Sequence, residues 1–186
     1  MALHRGKISY VSFHDDPPAF HISTKTYQNM SLHTVEVEAS DGRDCDLRFS
    51  QDGLEVIHMP TLVGNFYDDE EVVADYYQEV QHALKSVTGC NRVHVFNHCR
   101  RSSSHHSDRS IRPVSAEVHA DYSPDDANEL LEKHVPEDEE ACGSSRSCIV
   151  NVWRSIAGVV EQKPLAFLAN SRHAWPSSRE VPGVSQ

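Results

Sequence analysis

The stretch Arg112-Pro113-Val114-Ser115-Ala116-Glu117-Val118-His119-Ala120-Asp121-Tyr122-Ser123-Pro124 decides how this chain is read. Val114, Ala116, Val118 and Ala120 alternate with Ser115, Glu117, His119 and Asp121, the period-two signature of a half-buried strand. In extended chain, residues two apart point to the same side, so the His119 imidazole and the Asp121 carboxylate can converge on one metal ion. The His-x-Asp spacing alone is cheap, because it recurs at His14-Asp15-Asp16 and at His106-Ser107-Asp108. Only His119 and Asp121 lie in an alternating run. Two readings stand side by side at this level: a metal pair, and a strand histidine hydrogen-bonded to its neighbour.

Outward from this stretch, Ser123 followed by Pro124 predicts a capped helix over residues 123–133. On the other side, the polar run from Arg100 to Arg109 predicts a surface loop, and Arg92-Val93-His94-Val95-Phe96-Asn97-His98 predicts a strand with ordinary strand histidines. Asp68, Asp69, Glu70 and Glu71 supply a cap and a favourable charge for the start of a helix. Its stripe of Val72, Val73, Tyr76, Tyr77, Val80, Ala83, Leu84 and Val87 assigns the tyrosines to core packing, and Gly89 stops it.

Residues 1–50 read as an N-terminal extension that wraps the core. Thr34-Val35-Glu36-Val37-Glu38 predicts a strand, Ser40-Asp41-Gly42-Arg43 a turn, and Leu47-Arg48-Phe49-Ser50 the returning strand of a hairpin-like element. A second turn at 51–53 leads into a strand over Leu54-Glu55-Val56-Ile57, ended by Pro60. Downstream, Cys148-Ile149-Val150-Asn151-Val152-Trp153-Arg154 predicts a strand with Asn151 and Trp153 on one face, lining the cavity of His119. Leu165-Ala166-Phe167-Leu168 predicts a last strand. Residues 1–170 form one domain in this reading, and 171–186 a loosely ordered tail.

Composition sets the outer bounds. A chain of 186 residues with 38% hydrophobic content fits one domain with a modest core. Its net charge of -11 argues against nucleic-acid and anionic-membrane partners, since phosphate binding needs a basic surface. No run of residues is apolar enough to cross a bilayer, and Met1-Ala2-Leu3-His4-Arg5 lacks a signal-peptide segment, so a cytoplasmic protein is expected. Five cysteines, widely spaced and odd in number, predict free thiols.

Histidine and carboxylate on one strand suit the facial triad of non-haem iron oxygenases, completed by a second histidine from a later strand; zinc takes the same ligands. No G-x-S-x-G elbow and no glycine-rich phosphate loop points to hydrolysis or nucleotide chemistry. Several further stretches belong together: Asp41-Gly42-Arg43, Phe66-Tyr67-Asp68-Asp69-Glu70-Glu71-Val72, Tyr76-Tyr77, Val93-His94-Val95-Phe96-Asn97-His98, Arg112 through Ser123, and Asn151-Val152-Trp153-Arg154 through Pro164-Leu165-Ala166. With them, the chain from about Asp41 to Phe167 resembles the AsaB/CmcJ-like hydroxylase/desaturase family, Fe(II)/2-oxoglutarate-type oxygenases of secondary metabolism that include gibberellin desaturases.

The resemblance implies an α+β, mainly β fold: a double-stranded β-helix, or jelly roll, with flanking helices, incomplete at the C-terminus. It implies His119 and Asp121 as iron ligands, 2-oxoglutarate as cosubstrate, and Arg154 and Trp153 in or beside the pocket, with Asn151 and Tyr122 lining it. Arg112 buttresses the ligand strand. For His173 and Arg179 two readings stand: substitutes for the family's distal histidine and its carboxylate-clamping arginine, or incidental residues of a shortened C-terminus; His173 lies 54 residues beyond His119. The implied function is hydroxylation or desaturation of a small metabolite in a fungus or bacterium. The alternatives are an inactive truncated homologue, a partner subunit of a full-length paralogue, and a metal-independent enzyme using the same cavity. A jelly roll short of its last strands exposes unpaired edges, which favours a homo- or hetero-oligomer.

Overall fold

The computed structural model describes residues 3–13, 19–21, 26–28, 30–103, 108, 110–115, 117–119, 121–122, 124–134 and 147–168. The chain divides into two compact units, one of Met1–Val56, Pro113–His119 and Leu165–Gln186, the other of Ile57–Arg112 and Ala120–Pro164.

The first unit is built on an antiparallel ladder between β1 (Leu3–Phe13) and β4 (Met30–Ser40), in register from Leu3 opposite Ser40 to Phe13 opposite Met30. A shorter ladder joins β2 (Ala19–His21) to β3 (Thr26–Gln28). Alternation sets Arg5, Lys7 and Ser9 opposite Glu38, Glu36 and Thr34 on one face of the long ladder. There the Arg5 Nε donates to Glu38 Oε1 at 3.2 Å and the Ser9 and Thr34 hydroxyls meet at 3.0 Å, cross-strand pairs of the kind that fix register. Ile8, Val35 and Val37 occupy the other face and are half-buried.

The strand expected at Thr34–Glu38 is therefore present, but its partner precedes it. Leu47–Ser50 is not a returning strand, because local hydrogen bonds capture this part of the chain first. Asp41 caps a 3-10 turn over Gly42–Asp44, and Phe49–Asp52 forms a short helix, α1. Gly53 closes α1 at φ 73°, a left-handed conformation that glycine adopts without penalty, and its N–H reaches the Phe49 carbonyl at 3.1 Å. The Asp52 carboxylate, 5% exposed, accepts from the Arg48 N–H at 2.8 Å. Leu54–Ile57 carries no ladder either.

The deciding stretch also departs from a continuous strand. Ile111–Pro113 (β6) pairs with Arg100–Ser102 (β5), so the expected surface loop contains one strand of a two-stranded sheet. Beyond it, a single parallel bridge joins Glu117 to Ser9, with the Val118 N–H donating to the Ser9 carbonyl at 2.9 Å. Among the described apolar residues of this stretch, Val114 is half-buried as the alternation predicts, whereas Val118 is 45% exposed. An apolar set of two valines and two alanines offers little area to hold a strand against a sheet.

In the second unit, Asp68 accepts from the N–H groups of Glu70 and Glu71 at 2.9 and 3.3 Å and starts a helix as expected. It runs through α2 (Asp69–Glu71), a π-helical turn (Val72–Tyr76) and α3 (Tyr77–Thr88) to Gly89, whose N–H reaches the Lys85 carbonyl at 3.0 Å. The helix carboxylates strap the preceding segment down: Glu71 Oε2 accepts from Asn65 N–H at 3.1 Å and Glu79 Oε1 from Leu62 N–H at 2.7 Å. Val63, Val72 and Val80 are the buried hydrophobic residues among those described. The expected helix after Ser123 is α4 (Pro124–His134). Residues 92–98, 148–154 and 165–168 are described without strand ladders, which corrects the strands expected there. Three two-stranded sheets and a few helices among the described residues place the fold in the α+β class. No described helix is long and apolar enough to cross a membrane.

Candidate functional site

His119 belongs to the first unit and Asp121 to the second, and both side chains are exposed. The backbone immediately before His119 fixes its ring. Its Nδ1 lies 2.8 Å from the Glu117 carbonyl and 3.4 Å from the Ser115 hydroxyl. A carbonyl only accepts, so Nδ1 carries the proton, and in the neutral imidazole Nε2 holds the lone pair that ligates a metal. Metal-binding histidines are oriented by this same backbone contact.

Asp121 is oriented from a segment 30 residues away. The Asn151 amide nitrogen donates to Asp121 Oδ2 at 2.5 Å, turning the carboxylate and holding one oxygen. Asn151 is thus a partner of the carboxylate. Tyr122, 37% exposed, meets the Phe96 ring edge-on at 6.5 Å between centroids. Trp153 is 51% exposed. Arg154 is half-buried; its Nη2 donates to the Met59 carbonyl, and its guanidinium lies 5.8 Å from the Phe66 ring centroid and 5.4 Å from that of Tyr76.

Nitrogen from a neutral imidazole and oxygen from a carboxylate are donors that suit Fe(II), and here each has a neighbour that sets its orientation. As donor types, the two residues match two positions of the triad that the resemblance implies. Among the described residues, no group of three or more His, Cys, Asp or Glu side chains is placed to hold a metal. His173 and Arg179 lie outside the described residues. Cys90, Cys99 and Cys148 are free thiols, as expected, and Cys142 lies outside the described residues.

The sequence reading missed a second polar cluster. Asp69, Tyr77, His98 and Arg100 are linked by side-chain hydrogen bonds, so Tyr77 is not simply a packing residue and His98 is not an ordinary strand histidine. The available signal was His98-x-Arg100: two donors two apart in extended chain can reach one carboxylate. Tyr76 does pack as expected, its ring meeting Phe66 edge-on at 5.1 Å.

Comparison with known proteins finds relatives named as oxygenases. The chain is 32% identical over 152 residues to the alpha-ketoglutarate-dependent dioxygenase tstK of Talaromyces stipitatus, covering 76% of this chain and 54% of that protein. It is 30% identical over 146 residues to the alpha-ketoglutarate-dependent dioxygenase phiK of a fungal species, covering 75% of this chain and 52% of phiK. The hydroxylase/desaturase efuI of Hormonema carpetanum is 29% identical over 171 residues, 83% of this chain and 57% of its own length. The chain spans about half the length of these curated relatives. No solved structure matches it. Beside these relatives, named as dioxygenases and a hydroxylase/desaturase, a family profile described as Oxidoreductase/YMDC permease-like domain matches residues 5–177, nearly the whole chain, and the protein belongs to that family.

Proposed function

We propose that this chain carries the iron-binding part of a 2-oxoglutarate-dependent hydroxylase or desaturase acting on a small secondary metabolite, on a jelly-roll scaffold. One observation carries the reading: the Glu117 carbonyl sets the His119 tautomer at 2.8 Å, while Asn151 holds Asp121. These two side chains are the proposed Fe(II) ligands, and His173 is the proposed third. Names of the relatives support 2-oxoglutarate as the cosubstrate.

Each residue has a part in binding and orientation. Asn151 donates to one Asp121 oxygen and so keeps the carboxylate oriented, leaving the other oxygen to hold the metal. Arg154 commits one nitrogen to Met59; an arginine has five N–H donors, and the others suit the cosubstrate carboxylate, a role shared with Arg179. Tyr122 and Trp153, with exposed apolar rings beside Asp121 and Asn151 in the chain, provide surface for an apolar substrate. When bound, Fe(II) with 2-oxoglutarate supplies the oxidation of an unactivated C–H bond by molecular oxygen.

The test is an anaerobic Fe(II) titration followed by oxygen uptake with 2-oxoglutarate. The native chain is expected to bind one iron, His119→Ala to lose it, and Asn151→Ala to bind about 10- to 100-fold more weakly. Equal iron binding by native chain and His119→Ala overturns the proposal. Stoichiometric iron without oxygen uptake selects the non-catalytic partner reading.

A further inference from the structure

The cluster at Asp69, Tyr77, His98 and Arg100 lies within the second unit. Asp69 Oδ1 receives the Arg100 Nη2 at 2.6 Å and the His98 Nε2 at 3.0 Å. The hydrogen bonds from His98 and Arg100 hold the Asp69 carboxyl below its usual range, and so ionised at neutral pH. An ionised carboxylate only accepts, so His98 Nε2 carries a proton. In the neutral ring, Nδ1 is then the acceptor, and it lies 2.9 Å from the Tyr77 hydroxyl. In that neutral form the chain runs one way: Tyr77 O–H donates to His98, and His98 N–H donates to Asp69.

Arg100 is anchored behind the carboxylate, its side chain 11% exposed and its Nη1 bonded to the Phe66 carbonyl at 2.9 Å. A tie between the helix start and β5 needs only the Arg100–Asp69 pair. The Tyr77–His98 leg adds something a tie does not require, a hydroxyl whose proton has a base to receive it and a third group to orient that base. A nucleophile, a base at 2.6–3.2 Å and an orienting group are the arrangement that activates weak nucleophiles. Asp69 also lines a shallow cleft with Glu70, Val73 and Ala74, and Tyr77 lies one helical turn beyond Val73 on the same face.

We propose that Tyr77 is a nucleophile for acyl electrophiles, with His98 as its base and Asp69 as the orienting group. The reaction class is acyl transfer from an activated carboxylic ester. The apolar Val73 and Ala74 suit a short acyl chain, and the carboxylates of Asp69 and Glu70 repel an anionic one. A bond forms between Tyr77 Oη and the acyl carbon as the bond from that carbon to the leaving oxygen breaks. The phenol proton passes to His98 Nδ1 and departs with the leaving group, giving acyl-Tyr77 and an alcohol with no change of oxidation state. Burial and the Asp69 charge raise the Tyr77 pKa, so the phenol keeps its proton until the electrophile arrives.

The test treats the whole chain with p-nitrophenyl acetate and maps acetyl-tyrosine by peptide mass spectrometry over time. Tyr67 and Tyr10, 54% and 38% exposed, are internal references. Tyr77 is expected to acetylate about 100-fold faster than either, the lower end of general-base acceleration. His98→Gln is expected to bring Tyr77 down to the reference rate, and Tyr77→Phe to remove the fast label. Tyr77 labelling no faster than the references in the native chain overturns the proposal, whatever the variants do. So does fast labelling that survives His98→Gln in a folded chain.

Discussion

A single carboxylate shows how much chemistry sits in adjacent residues. Asp41 Oδ1 receives the Arg43 backbone N–H at 2.9 Å and its Nε at 2.8 Å, while Oδ2 receives Nη2 at 2.7 Å. These side-chain and backbone hydrogen bonds from Arg43 lower the Asp41 pKa from 3.8 to about 2. Because the folded pKa is the depressed one, the pair contributes stability above the ordinary value and loses it as pH falls through about 2. An NMR titration is expected to place the Asp41 midpoint near 2, and Arg43→Ala to return it toward 3.8. An unchanged midpoint in that variant would show that Arg43 is not the cause. The turn was legible in sequence because donor and acceptor are two residues apart. Of the candidate metal site, the types and spacing of His119 and Asp121 were legible, but not the groups that orient them. One is a backbone carbonyl, which every residue has, and the other, Asn151, is remote in sequence.

At the scale of elements, the two longer helices were legible, while the short helix at Phe49–Asp52 and the ladders were not. A helix closes its hydrogen bonds locally, so Asp68, the acidic first turn and Gly89 announced both ends of the long helix. The Asp68→Ala variant is expected to lose about 1 kcal/mol of stability, since two N–H donors lose their acceptor. Urea unfolding followed by circular dichroism measures it, and no change would mean that water replaces the cap without loss. The π-helical turn at Val72–Tyr76 had no sequence signal, because i→i+5 bonding has no residue signature of its own. Strands depend on a partner elsewhere. Thr34–Glu38 has strand composition, yet nothing in it says that residues 3–13 rather than 47–50 form the other half. Likewise the branched residues of 92–98 and 148–154 describe segments that tolerate extension, not segments that have a neighbour.

At the scale of the molecule, charge weighs against a small set of buried side chains. The chain carries a net charge of -11, and its buried hydrophobic residues among those described are Val63, Val72 and Val80. Like charges destabilise a compact state through self-repulsion, and salt screens that repulsion over a Debye length of about 10 Å at 0.1 M, shorter at higher salt. Salt also screens attractive pairs such as Arg5–Glu38 and Arg43–Asp41, but solvent-exposed pairs of this kind contribute little to stability. The repulsive effect is therefore expected to dominate. Raising sodium chloride from about 10 mM to about 0.5 M is expected to raise Tm by about 2–4 °C, which for a chain of this size corresponds to about 1 kcal/mol. A fall in Tm under the same change would reverse the conclusion: attraction within local ion pairs would then outweigh the repulsion among the excess carboxylates. The choice of sodium chloride keeps the test electrostatic, since strongly excluded salts such as sulfate stabilise folded chains through apolar burial as well.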